Sequence, residues 1–132
     1  MKIATHDSAT GEKGKGLLSI IGTPFARTQS KTIKEQYDAG CRMFDIRVKL
    51  IKGEWRCAHG LWQSKRLAYD ILNEINSFED GCYVTITYEG NSKKREEFIT
   101  FVCKIRKDFP NIKLGNMAIK YGGERSGRFD RY

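Results

Sequence analysis

The chain has 132 residues, with 24 Lys plus Arg against 16 Asp plus Glu for a formal charge of +8, and 39% hydrophobic and 11% aromatic residues. That is one domain with enough apolar matter for a packed core, which excludes a disordered chain, and a Pro count of 2 excludes a Pro-rich stalk. No apolar run approaches the roughly 20 residues of a membrane-spanning helix, Met1 to Asp7 lacks the apolar stretch of a signal peptide, and a closed barrel of eight βα units takes about 250 residues, too many for this chain.

In chain order, Lys2 to Asp7 is a short strand ending in a polar cluster. Residues 8–31 hold Gly11, Gly14, Gly16, Gly22 and Pro24 and read as a loop, with Leu17-Leu18-Ser19-Ile20-Ile21 an apolar anchor or helical turn within it. Thr32 is placed to cap a short helix over Ile33 to Ala39, with Gly40 just past its end. Cys41 to Leu50 alternates strictly, with Phe44, Ile46, Val48 and Leu50 on one face and Met43, Asp45, Arg47 and Lys49 on the other. A turn at Lys52-Gly53 leads into a second short strand, Trp55 to His59.

Ser64 is placed to cap a helix whose apolar stripe is Leu67, Ala68, Ile71, Leu72, Ile75 and Phe78, stopped by Gly81. Tyr83 to Tyr88 has the β-branched and aromatic content of a strand. Asn91 or Ser92 then opens a helix with Phe98, Phe101, Val102, Ile105 and Phe109 inward, ended before Pro110. Ile112 to Tyr121 is one more strand, and residues 122–132 are a flexible basic tail. Strands alternating with amphipathic helices give an α/β class, with βα units building a parallel sheet.

Cys41, Cys57, Cys82 and Cys103 form no CxxC pair, so they do not fit a zinc site. Each sits in or beside an apolar segment, as reduced core thiols do, which suits a cytoplasmic setting.

Ligands in parallel α/β folds bind at the carboxyl ends of strands. Here those ends carry His6-Asp7, Asp45 with Arg47, His59 and Glu89. Two imidazoles and a guanidinium suit a phosphodiester: one His takes a proton from the attacking hydroxyl, the other protonates the leaving oxygen, and the Arg holds the phosphate oxygens. The plainer readings are surface or core histidines and a structural Asp45–Arg47 ion pair.

Thr5-His6-Asp7-Ser8, Thr28-Gln29, Tyr37 to Arg47 (with Gly40, Arg42, Asp45-Ile46-Arg47) and His59-Gly60 together resemble the X domain of bacterial-type phosphatidylinositol-specific phospholipase C. The match is strong over residues 3–60 and extends toward 121. It implies a TIM-type barrel, of which this length spans about half, as a single domain over residues 1–132. It also implies metal-independent chemistry with no cofactor. His6 stands as the general base for the inositol 2-hydroxyl, His59 as the general acid with Asp7 assisting, and Arg47 as the phosphate clamp. Asp45 and Glu89 support them. The family's third strand carries a Lys two residues before its Glu, and here that position is Thr87.

The implied substrate is phosphatidylinositol or a related anionic phospholipid, with the +8 charge suited to a membrane surface. Secretion is the alternative to the cytoplasm, since relatives in the family are often secreted. A second function class is a catalytically impaired half-barrel that binds or pairs with a second copy through open sheet edges. Nucleic acid is the least favoured partner, since Lys93-Lys94-Arg95 and the Arg-rich tail lack a recognition motif.

Overall fold

The computed structural model describes residues 3–5, 32–59, 62–90, 92–121 and 124–129. Its elements are β1 (Ile3–Thr5), α1 (Ile33–Asp38), β2 (Cys41–Ile51), β3 (Glu54–His59), β4 (Trp62–Leu67), α2 (Ala68–Ser77), β5 (Tyr83–Glu89), a 3-10 turn (Ser92–Lys94), α3 (Arg95–Asp108), β6 (Lys113–Tyr121) and β7 (Glu124–Phe129).

Local chemistry sets these boundaries. Thr32 and Glu35 make a reciprocal capping box at α1: the Glu35 amide donates to Thr32 Oγ1 at 3.2 Å and the Thr32 amide donates to Glu35 Oε1 at 3.0 Å. Gly40 has φ 106°, the left-handed conformation that turns the chain from this helix into β2 at no steric cost. Lys52 (φ 52°) and Gly53 (φ 78°) are both positive, the geometry of a two-residue hairpin turn matched to strand twist.

The sheet runs β4-β3-β2-β5-β6-β7, with β1 also on β2. Strands β1, β2, β5 and β6 are successive parallel neighbours, the predicted βα architecture. An antiparallel hairpin extends each side, β3–β4 from β2 and β7 from β6. β5 takes one edge of β2 over Met43 to Val48, so β1 (to Cys41–Phe44) and β3 (to Val48–Ile51) share the other edge.

One face of this sheet makes the core. Phe44, Ile46 and Val48 of β2 and Val84, Ile86 and Tyr88 of β5 join Ile71, Leu72 and Ile75 of α2 and Phe98, Phe101, Val102 and Ile105 of α3 in one buried cluster. Each such side chain contributes about 1.5–3 kcal/mol when fully buried. Rings order it further, with Tyr88 stacked on Phe98 (centroids 5.3 Å apart) and Trp55 on Phe101 (4.9 Å).

Three sequence expectations are corrected. Ser64 does not cap a helix; it is a buried residue of β4, and α2 starts at Ala68 after an N-cap Leu67 that makes no side-chain cap bond. The reason is a wide bulge. Between the pairs Arg56–Leu67 and Ala58–Gln63, β3 has only Cys57 while β4 has Ser64 to Arg66. Ser64 Oγ accepts from the Cys57 amide (3.0 Å) and donates to the Arg66 carbonyl (2.6 Å). The buried Arg56 guanidinium donates to the Ser64 and Lys65 carbonyls (3.3 and 2.8 Å). The backbone groups that the bulge orphans are thus satisfied by two side chains.

Cys103 is the second correction: it is exposed, because the inward stripe of α3 passes through Phe98, Phe101, Val102 and Ile105 instead, while Cys41, Cys57 and Cys82 are buried free thiols. Third, Glu124–Phe129 of the expected flexible tail is the strand β7, paired antiparallel to β6.

Candidate active site

Period-two alternation places Asp45 and Arg47 of β2 on the sheet face opposite the core, and register adds Thr85 beside Asp45, Thr87 beside Arg47, and Glu89 beyond. Arg47 is the hub. Its Nη1 donates to Glu89 Oε1 at 3.2 Å across the strands, and its Nη2 and Nε lie 3.4 Å from Asp45 Oδ2. The side chains are 15% (Arg47), 21% (Asp45) and 15% (Glu89) exposed, so the cluster is partly desolvated and its electrostatics are stronger than on an open surface. A guanidinium stays cationic at any working pH, and two carboxylates fix its plane.

The ladders leave an opening beside this hub. Along one edge of β2 the β1 pairs stop at Phe44 and the β3 pairs begin at Val48, which leaves Asp45, Ile46 and Arg47 in a gap between the two ladders. β3 runs antiparallel to β2, and its last residue, His59, lies two positions past Cys57, the partner of Val48. Pairing of His59 with Trp62 anchors the position, and Trp62 is fully buried. β1 ends at Thr5 opposite Phe44, on the other side of the gap. His6 and Asp7 lie outside the described residues.

The structure therefore brings together Asp45, Arg47 and Glu89, and ends β3 at His59, paired with Trp62. Sequence reasoning missed Arg56 and Ser64, which fix the hairpin that carries His59; a buried bulge between polar residues leaves no periodic signal. Thr85 and Thr87, whose alternation is legible in Tyr83–Glu89, were not singled out as lining the polar face. At the base of that face Met43 and Tyr83 are exposed (40% and 38%). Among the described residues no group of three His, Cys, Asp or Glu is arranged to hold a metal ion.

No family profile matches the sequence, and no curated protein matches it. Solved structures do match in fold. A mutant of the phosphatidylinositol-specific phospholipase C from Staphylococcus aureus aligns with TM-score 0.62 at 18% identity, over 90% of this chain and 47% of that one. The phosphatidylinositol-specific phospholipase C from Listeria monocytogenes aligns with TM-score 0.62 at 18% identity, over 98% of this chain and 56% of that one. The chain spans about half the length of the solved structures it matches. Its four successive parallel strands with their helices therefore have the fold of a partial phosphatidylinositol-specific phospholipase C domain, about half of that α/β barrel.

Proposed function

We propose that this chain is a phosphodiesterase of the phosphatidylinositol-specific phospholipase C type, acting on a phosphatidylinositol-like diester without a metal. The observation that carries the reading is Arg47, held between Asp45 and Glu89 on the polar sheet face beside the gap between the β1 and β3 ladders. In the proposed reaction His6 removes the proton of the inositol 2-hydroxyl, whose oxygen attacks the adjacent phosphorus. The phosphorus–oxygen bond to glycerol breaks, and His59 delivers a proton to that oxygen, with Asp7 assisting. The products are a cyclic inositol phosphate and diacylglycerol, with His6 protonated and His59 neutral. Arg47 donates to the non-bridging oxygens and stabilises their growing charge. The net charge of +8 supports an anionic lipid surface as the place of work.

The test is release of cyclic inositol phosphate from phosphatidylinositol in mixed micelles. General acid–base catalysis contributes about 10²–10⁴ in rate, so His59→Ala should lose at least that lower figure, and Arg47→Ala should fall similarly. Turnover by His59→Ala at the parent rate would overturn the assignment.

A second reading is a half-barrel that binds or self-associates without catalysis. Two observations favour it: the chain covers only 47% to 56% of its structural neighbours, and Met43 and Tyr83 stand exposed on the same face as Arg47. It predicts no turnover by the unmodified chain, retained binding to phosphatidylinositol vesicles, and a dimer by light scattering.

A further inference from the structure

Exposed cations gather at one end of the sheet. β2 and β5 are parallel, so their carboxyl ends share one rim, beside Arg47 and Glu89. β2 runs to Ile51, three positions past Val48, while β5 stops at Glu89, one past Tyr88. The β2–β3 hairpin therefore stands beyond the end of β5. It carries Lys49 and Lys52, both exposed, beside the partly exposed Leu50 and Ile51. The chain leaves β5 at the same rim, where Lys93, Lys94 and Arg95 are exposed in the 3-10 turn and at the start of α3.

These cations stand where the stability of the fold disfavours them. Lys49 pairs across the hairpin with Arg56, and like charges directly opposite destabilise a sheet. Arg56 turns to Glu54 and to the bulge carbonyls, while Lys49 faces solvent. Lys52, at φ 52°, holds the left-handed conformation, which is unfavourable for a side chain with a Cβ and which Asn or Gly takes more readily. Lys94 is the N-cap of α3 and makes no side-chain cap bond, where Ser, Thr, Asp or Asn would satisfy an amide. With Lys93 and Arg95 it sets positive charge at the positive end of the helix dipole, which Glu96 and Glu97 in the first turn offset only in part. Local rules broken together, and in the same sense, mark a surface kept for function.

We propose that the β2–β3 hairpin and the turn after β5 form one docking face for an anionic lipid bilayer, with Lys49, Lys52, Lys93 and Lys94 against the headgroups. Leu50 and Ile51 add apolar contact at the interface, and neither segment holds an aromatic ring on which a nucleic acid base could stack. The face borders the rim where Arg47 lies, so docking brings a headgroup to it. This deepens the proposed function and rests on its choice of a phospholipid substrate.

Sedimentation with phosphatidylcholine vesicles containing phosphatidylglycerol tests it, because these vesicles are anionic and hold no inositol. A cation close to such a surface contributes about fivefold to binding. Lys49→Gln/Lys52→Gln should therefore weaken vesicle affinity at least about tenfold, and Lys93→Gln/Lys94→Gln likewise. Arg106→Gln/Lys107→Gln removes the same charge from the other end of α3 and should weaken it less than about threefold. Lys52→Asn should melt at a higher temperature than the parent while binding vesicles less tightly. Thermal melts confirm that each variant is folded, and each rim pair is read by itself.

An equal loss in the Arg106/Lys107 pair would mean that net charge alone draws the protein to lipid, and overturns the docking face. So does parent-like binding by either rim pair. A DNA duplex bound more tightly than the vesicles at equal salt, and released by the same rim variants, also overturns it by assigning the face to nucleic acid. Docking without turnover of phosphatidylinositol removes the proposed reaction and keeps the face, whereas turnover in micelles without docking removes the face alone.

Discussion

Replacing Ser64 by Ala tests the bulge that supports the His59 strand. The Ser64 hydroxyl is fully buried and makes two hydrogen bonds, from the Cys57 amide at 3.0 Å and to the Arg66 carbonyl at 2.6 Å. Cys57 is 1% exposed, so water does not replace its lost acceptor, and an unsatisfied buried donor costs about 1–3 kcal/mol. Arg66 is half-buried, so its carbonyl finds water at a smaller loss, about 0.5–1.5 kcal/mol. The two together predict that Ser64→Ala destabilises by about 1.5–4.5 kcal/mol, read from urea unfolding with an unchanged slope. The Cys57 amide should lose hydrogen-exchange protection selectively. Arg56→Met keeps the aliphatic stem but abandons the Ser64 and Lys65 carbonyls, and should cost a comparable amount. A Ser64→Ala protein within about 0.5 kcal/mol of the parent, the range of ordinary surface changes, would refute the reasoning.

Two further predictions concern packing and pH. A side chain at Gly90 would collide with the ring and hydroxyl of Tyr88, which is buried against Phe98 and Trp55, so Gly90→Ala should lower stability by about 1–3 kcal/mol and reduce the near-ultraviolet aromatic signal. The Tyr69 hydroxyl donates to Asp108 at 2.8 Å and, with Lys104 at 3.4 Å, holds the Asp108 carboxyl below its ordinary value of 3.8. A depressed carboxyl stabilises the fold above its unfolded value and loses that contribution as pH falls through the folded one. Tyr69→Phe should therefore raise the Asp108 titration midpoint, followed by carboxyl NMR shifts, and its stability deficit should shrink below pH 3.8. An unmoved midpoint would contradict it.

Much of this fold is legible in local sequence, and the exceptions share a physical cause. Thr32, Glu35 and Gly40 announce α1, and the alternation of Phe44, Asp45, Ile46, Arg47 and Val48 announces both the strand and its two faces, because these signals depend on neighbours in sequence. Ser64, Lys65 and Arg66 read as a helix start because their backbone partners, Cys57 and the Arg56 guanidinium, are supplied across a bulge from another strand. β7 has no β-branched residue and is specified by pairing with β6. In the site, the convergence of Asp45, Arg47 and Glu89 follows from strand-end placement. The bridge from Arg47 to Glu89 required the parallel register of β2 with β5, which no single strand encodes.

β4 and β7 flank the sheet, and this governs how copies of the molecule meet. β7 runs antiparallel along the side of β6 where a further parallel barrel strand would add. The two flanking strands carry Lys65 and Arg66 on one side and Arg125 and Arg128 on the other. A union of two copies through β4 therefore brings Lys65 and Arg66 of one against those of the other, and such charge is how sheets deter unwanted pairing. The solution behaviour that follows is ionic: strand-mediated association should be suppressed in dilute salt and promoted by polyanions that bridge the like-charged borders.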